Sequence, residues 1–262
     1  MSSVPAERDL ESPHGAARLT RAHALRTNET GEGPPVLLLH GFGLRPQTYL
    51  IVADRLADRC RVLIPHILSL PERWSIDTAI ACVEATLNER GIGEVTLLCH
   101  SFGGGIGLGF TAKNPDRVVE AVFADTLGLS REWVLAREAL RPATLLRLAS
   151  PRAAADFLVS CMRHPLQLSR AGWWGFVGDR RAEIETIAAA GVRCHVLWAG
   201  RDTLLARKDG LAFARELGAT FTVARSSPLA KPLDHDWMFR RPDTFVSHLE
   251  RLGLRALRPD TA

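Results

Sequence analysis

Apolar residues along this chain gather into short unbroken runs separated by longer stretches with helical spacing. The runs at 36–39, 61–64, 94–99, 118–124, 193–198 and 221–224 are strand-length and show no in-and-out alternation, the pattern of strands buried on both faces. Between and after them, a helical period predicts helices over 46–58, 75–90, 102–113 and 211–217, and a last one from residue 242. That alternation predicts an α/β protein: a mostly parallel central sheet with helices on both faces. Residues 15–28 read as the first, antiparallel strands, residues 1–14 as a disordered N-terminus and 257–262 as a C-terminal tail. Between 129 and 190 the alternation stops, and short helices are predicted at 131–140, 143–148, 152–162 and 181–189. Trp133, Leu145, Leu148, Phe157, Leu158, Trp173, Trp174 and Phe176 give this insertion more apolar surface than isolated helices expose. It is therefore expected to be a helical cap over a core made of 15–128 and 191–256.

Composition narrows the class. A chain of 262 residues, 46% hydrophobic, suits one such domain. The formal net charge of +4 is spread along the sequence, with no basic block interleaved with aromatics, so no nucleic-acid partner is expected. Arginines between 251 and 258 fall on the terminal helix and tail, where they complement the helix dipole. The five cysteines, Cys60, Cys82, Cys99, Cys161 and Cys194, are scattered and mostly lie in apolar segments. They read as reduced thiols in a cytoplasmic protein rather than a disulfide framework. No signal-peptide pattern opens the chain and no apolar run reaches membrane-span length, so no membrane association is expected. No metal-ligand spacing, dinucleotide fingerprint or P-loop is present, and neither metal nor cofactor is expected.

Candidate chemistry concentrates at Cys99-His100-Ser101-Phe102-Gly103-Gly104. An apolar run leads into this stretch and a helical pattern leads out, the context of a nucleophile elbow, whose strained turn tolerates only small neighbours. Ser101 is the candidate nucleophile. Gly103 stands at the required spacing, whereas Cys99, also small, occupies the place of the first glycine in G-x-S-x-G. Upstream, Val36-Leu-Leu-Leu-His40-Gly41-Phe42-Gly43 is a strand ending in a glycine loop; downstream lie Asp202, in Trp198-Ala-Gly-Arg-Asp202, and His235, in Leu233-Asp-His-Asp-Trp237. With these pieces in the order Ser, Asp, His, residues 15–256 resemble the α/β-hydrolase superfamily. One departure is the segment His66-Ile-Leu-Ser-Leu-Pro71, where that family usually places an aspartate and a glycine-rich turn.

The resemblance implies a triad. A serine hydroxyl is a weak nucleophile and needs a base, which in turn needs an orienting group. Of the nine histidines, His235 falls in a loop after the last strand, where the fold brings it over Ser101. His14, His23, His100, His164, His195 and His248 fall before the core, in the elbow, in the cap, in a strand or in a helix. Asp202 stands at the usual place for the acid, Asp125 at a rarer one, and Asp234 and Asp236 flank the histidine. The backbone N–H groups of Phe42 and Phe102 fit an oxyanion hole. Trp133, Trp173 and Trp174 are the expected pocket residues. These roles imply a cofactor-independent serine hydrolase that cleaves an ester or related acyl bond of a largely apolar small molecule through an acyl-Ser101 intermediate. The same triad also serves carbon–carbon bond hydrolysis and perhydrolase-like chemistry, and a non-catalytic small-molecule-binding protein on this fold is the reading from another class.

Overall fold

Every apolar run identified in the sequence is a strand. The computed structural model describes residues 23–70, 73–126, 151–226 and 231–258. Its strands are β1 (Thr27–Thr30), β2 (Pro35–Leu39), β3 (Arg61–Pro65), β4 (Val95–His100), β5 (Val118–Ala124), β6 (Cys194–Ala199) and β7 (Thr220–Ala224). They form a seven-stranded sheet in the order β1-β3-β2-β4-β5-β6-β7. Only the β1–β3 pair is antiparallel. The antiparallel entry expected within 15–28 thus begins only at Thr27, and residues 1–22 lie outside the described residues.

The helices are α1 (Pro46–Leu56), α2 (Ile76–Glu89), α3 (Phe102–Lys113), α4 (Pro151–Arg163), α5 (Pro165–Val177), α6 (Arg181–Ala190), α7 (Arg207–Glu216), α8 (Trp237–Arg240) and α9 (Pro242–Leu252). Strand residues alternate between two cores although the sequence does not alternate, because both faces are apolar. Val36, Leu38, Val62, Ile64 and Leu98 pack with Tyr49, Val52 and Leu56 of α1 and with Phe245 and Leu249 of α9. On the other face, Leu37, Leu39, Leu63, Leu97 and Cys99 pack with α2, α3, α6 and α7.

Within the stretch expected as cap, α6 buries Ile184 and Ile187 in that second core and packs against α3. The described part that stands over the sheet's C-terminal edge is therefore α4 and α5. Helix α5 was not expected from the sequence, since Gly172 and Gly175 interrupt it and no acidic residue marks a polar face. The two predicted helices at 131–140 and 143–148, with Trp133, lie outside the described residues. Among the described residues no helix is long and apolar enough to cross a membrane, and no cluster of His, Cys, Asp or Glu has the makings of a metal site.

Candidate active site

Ser101 is held in the turn between β4 and α3 with φ 51° and ψ −120°, a left-handed conformation that non-glycine residues rarely adopt. The surroundings enforce it. The Ser101 N–H donates to the Ala124 carbonyl at 3.1 Å, and the Ser101 carbonyl accepts from the Thr126 hydroxyl at 3.1 Å and the Gly104 N–H at 2.9 Å. Gly103 is required by close approach, because a β-carbon there would overlap the carbonyl of Leu39 at the end of β2. The cysteine that replaces the motif's first glycine fits for a similar reason. Its Sγ occupies the space that a side chain at Gly107, on the facing side of α3, would need.

Loops after β6 and β7 converge on this serine. His235 Nε2 lies 2.9 Å from Ser101 Oγ, and His235 Nδ1 lies 2.9 Å from Asp202 Oδ2. A carboxylate only accepts, so Nδ1 carries the proton and, in the neutral ring, Nε2 is free to accept the serine proton. The Asp202 side chain is fully buried, and its other oxygen accepts from the Leu204 and Leu205 N–H groups at 2.7 and 2.8 Å, which fixes its orientation. Burial alone would lower the His235 pKa, but the charge and hydrogen bond of Asp202, helped by Asp125 and Asp236, outweigh it and raise the ring to about 9. Burial likewise raises Asp202, yet the imidazolium and its hydrogen-bond donors prevail and hold it below the ordinary carboxylate range.

The other acidic candidates have structural partners instead. Asp125, also at positive φ (44°), directs one oxygen to the Ala199 N–H at 2.7 Å and the other to the Trp237 indole N–H at 2.6 Å. It ties the end of β6 to the residue two beyond His235. Burial and the charge of Asp202 push its carboxyl well above the usual range. Asp234 accepts from the Thr203 N–H, the Thr203 hydroxyl and the His235 N–H at 2.9, 2.8 and 2.8 Å, which joins the Asp202 and His235 loops. Asp236 pairs with Arg240. The ties of Asp125 to Ala199 and Trp237 and of Asp234 to Thr203 span long sequence separations, and no local signal in the sequence marks them.

Phe102 opens α3, so its N–H is one of the helix donors that have no intrahelical partner. Its ring centroid is 5.6 Å from that of Phe42, which brings the loop after β2 beside the elbow. Trp174 stacks edge-on against Phe102 at 5.4 Å and also meets Trp74 at 5.7 Å. Trp173, in contrast, is 68% exposed and stands at the rim of an open apolar groove of about 480 Å³ lined also by Phe42, Phe157, Cys161 and Leu168. Helix α4 is fastened over this loop by Asp156, which accepts from Arg45 Nε at 3.0 Å and from the Thr48 hydroxyl. The unusual segment at residue 66 onward is packed rather than open: Ile67, Leu68 and Leu70 are buried, the Trp74 indole donates to the Ile67 carbonyl at 3.1 Å, and His66 bonds Asn28 at 2.9 Å.

A strained serine after a central parallel strand, with a histidine and a carboxylate in line, defines a hydrolase-type α/β domain. The model of the alpha/beta hydrolase family matches residues 36–248, and the chain belongs to that family. It is 28% identical over 130 residues to a haloalkane dehalogenase of Agrobacterium fabrum, covering 45% of this chain and 43% of that protein. It is 26% identical over 136 residues to a 2-hydroxymuconate semialdehyde hydrolase of Pseudomonas sp. (strain CF600), covering 46% and 48%. The chain thus spans less than half the length of these curated relatives. A thermophilic esterase from Thermogutta terrifontis superposes with a TM-score of 0.70 at 20% identity, over 89% of this chain and 94% of that one, a likeness of fold.

Proposed function

We propose that the protein is a carboxylesterase-like serine hydrolase, with Ser101 as nucleophile, His235 as base and Asp202 as the acid that orients it. The observation that carries this reading is the unbroken line from Ser101 Oγ through His235 to Asp202, each step 2.9 Å. His235 takes the serine proton as Oγ attacks a carbonyl carbon, the Phe42 and Phe102 N–H groups receive the developing oxyanion, and the protonated ring then donates to the leaving alcohol. Water, deprotonated by the same ring, attacks the acyl-Ser101 ester and frees the acid. A serine nucleophile argues against alkyl halide displacement, because the ether it would leave has no carbonyl for water to attack. Carbon–carbon bond hydrolysis is the second reading, favoured by the Pseudomonas relative, and it needs the same nucleophile acting on a ketone.

A chromogenic ester assay with fluorophosphonate labelling tests the proposal: Ser101 is expected to carry the label, and the protein to turn over. Labelling without turnover of any ester would favour the C–C reading, and neither would leave a binding protein. The apolar groove beside Phe42, with Trp174 against Phe102, supports an apolar substrate. Medium-chain or aryl esters should outpace charged ones, and a charged ester with the best kcat/KM by a wide margin would overturn that preference. The buried thiols of Cys60, Cys82, Cys99 and Cys194 support a reducing, cytoplasmic setting.

The raised His235 pKa sets two opposite pH trends. Base catalysis needs the unprotonated ring, so kcat/KM should climb with pH along a limb whose midpoint lies above the ordinary 6.5, toward about 9. Stability runs the other way. A folded-state pKa above the unfolded one gives stabilisation that is complete below the unfolded value and is lost as pH rises through the folded value. The contribution of His235 to thermal stability should therefore fall between about 6.5 and about 9. A kcat/KM limb centred at or below 6.5 would contradict the electrostatic reading.

A further inference from the structure

Behind the triad, three separate segments meet at one buried polar pair. Tyr49, the chain's single tyrosine, sits on α1, and His100 is the residue before Ser101. Both are buried. The Tyr49 hydroxyl accepts the Gly41 N–H at 3.0 Å and lies 2.6 Å from His100 Nδ1. On the far side of the ring, His100 Nε2 lies 2.9 Å from the backbone carbonyl of His235. These contacts fix every proton. A carbonyl only accepts, so Nε2 carries the hydrogen; the neutral ring then has Nδ1 as acceptor, and the phenol must donate to it. Burial, reinforced by the neighbouring His235, pushes His100 down to about 3, which keeps this ring neutral while the base beside it gains and loses protons. The two imidazole centroids are 5.1 Å apart.

We propose that Tyr49 and His100 are positioning residues for the hydrolysis, holding the Gly41–Phe42 loop and the His235 backbone in fixed relation to Ser101. The proposal rests on the ester-hydrolase reading above. Phe42 is the residue after Gly41, so the peptide whose N–H is to receive the oxyanion follows directly on the one that Tyr49 holds. The chain from Gly41 N–H through the hydroxyl and imidazole to the His235 carbonyl joins the oxyanion loop, the elbow and the base loop by three hydrogen bonds. Glycine at 41 leaves room for this junction, since a β-carbon there would stand 3.1 Å from the hydroxyl and 3.2 Å from His100 Nδ1. None of these groups touches the reacting atoms, so their effect on rate is through placement: a donor displaced by a fraction of an ångström stabilises the oxyanion less while the ground state is held as before.

Tyr49→Phe tests this, because the ring keeps its edge contact with Phe239 and only the hydroxyl is removed. The expected result is a kcat for a chromogenic ester about 10- to 100-fold lower with KM within about twofold. Affinity for a trifluoromethyl ketone, which forms an oxyanion on Ser101, should fall by the same factor as kcat/KM, while inhibition by the alcohol product stays the same. His100→Asn, too short to bridge the hydroxyl and the His235 carbonyl, should give the same split and serves if the first variant does not fold. Independently of any substrate, nitrogen NMR of the wild-type protein should find His100 protonated at Nε2 and bare at Nδ1. A folded Tyr49→Phe protein with a lower Tm but unchanged kcat and ketone affinity would reduce the pair to structural packing and overturn the proposal, as would a His100 ring protonated at Nδ1. Wild-type protein that turns over no ester would sink the ester-hydrolase reading instead, a result told apart by the tautomer, which is read without substrate.

Discussion

Ser101→Ala is expected to lose on the order of 10⁶ in kcat while remaining folded, leaving about 10³ to 10⁴ over the uncatalysed rate from the oxyanion donors and substrate placement. The reason lies in the line of hydrogen bonds: without Oγ, His235 Nε2 has no nucleophile to activate, and the base and acid are left with nothing to act through. Alanine keeps the β-carbon, so the left-handed turn at φ 51° stays strained and the melting temperature should move little. Ser101→Gly gives a second readout from the same site. Glycine adopts that turn freely, so this variant should be equally inactive yet more stable than Ser101→Ala, by a strain energy of about 1 to 3 kcal/mol. Kinetics and thermal melts on the three proteins decide the matter; undiminished turnover in the alanine variant would remove Ser101 from the mechanism.

Asp202→Asn should cost up to about 10⁴ in kcat. An amide cannot stabilise the imidazolium, and its NH2 group can turn the ring to the wrong tautomer. The Leu204 and Leu205 N–H groups still find the amide oxygen, so the loop should keep its shape. The variant should also pull the His235 pKa back toward its ordinary value, because the charge that raises it is gone, and the kcat/KM limb should move to lower pH. Asp125→Asn provides the contrast. Both of its oxygens accept, and one of its two N–H donors, Ala199 or Trp237, would then face an NH2 group. A stability loss of about 1 to 3 kcal/mol with most of the turnover retained is the expected outcome. If the Asp125 variant is folded and inactive while the Asp202 variant works normally, the acid has been assigned to the wrong strand.

The sequence by itself determined the strands, most of the helices and the turn at Ser101. Each is encoded locally: an apolar run such as Val36 to Leu39 has to be buried on both faces, and a serine between a strand and Gly103-Gly104 has to turn sharply. It also brought forward His235 and Asp202, through their order after the elbow and the family resemblance rather than through any feature of their own loops. The tertiary structure decided which carboxylate meets the histidine. Asp125 and Asp202 both follow strands and look alike in sequence, but only Asp202 lies 2.9 Å from His235 Nδ1, while Asp125 is engaged by Ala199 and Trp237. It decided too that Cys99 is harmless in the motif, because Gly107 on the opposing helix makes room for its sulfur, and that Tyr49 on α1 reaches a histidine in the elbow. Hydrophobic periodicity is a property of neighbouring residues and is therefore written in the chain's order. A hydrogen bond between residues 51 or 74 positions apart depends on how helices and strands stack, and only the packed sheet sets that distance.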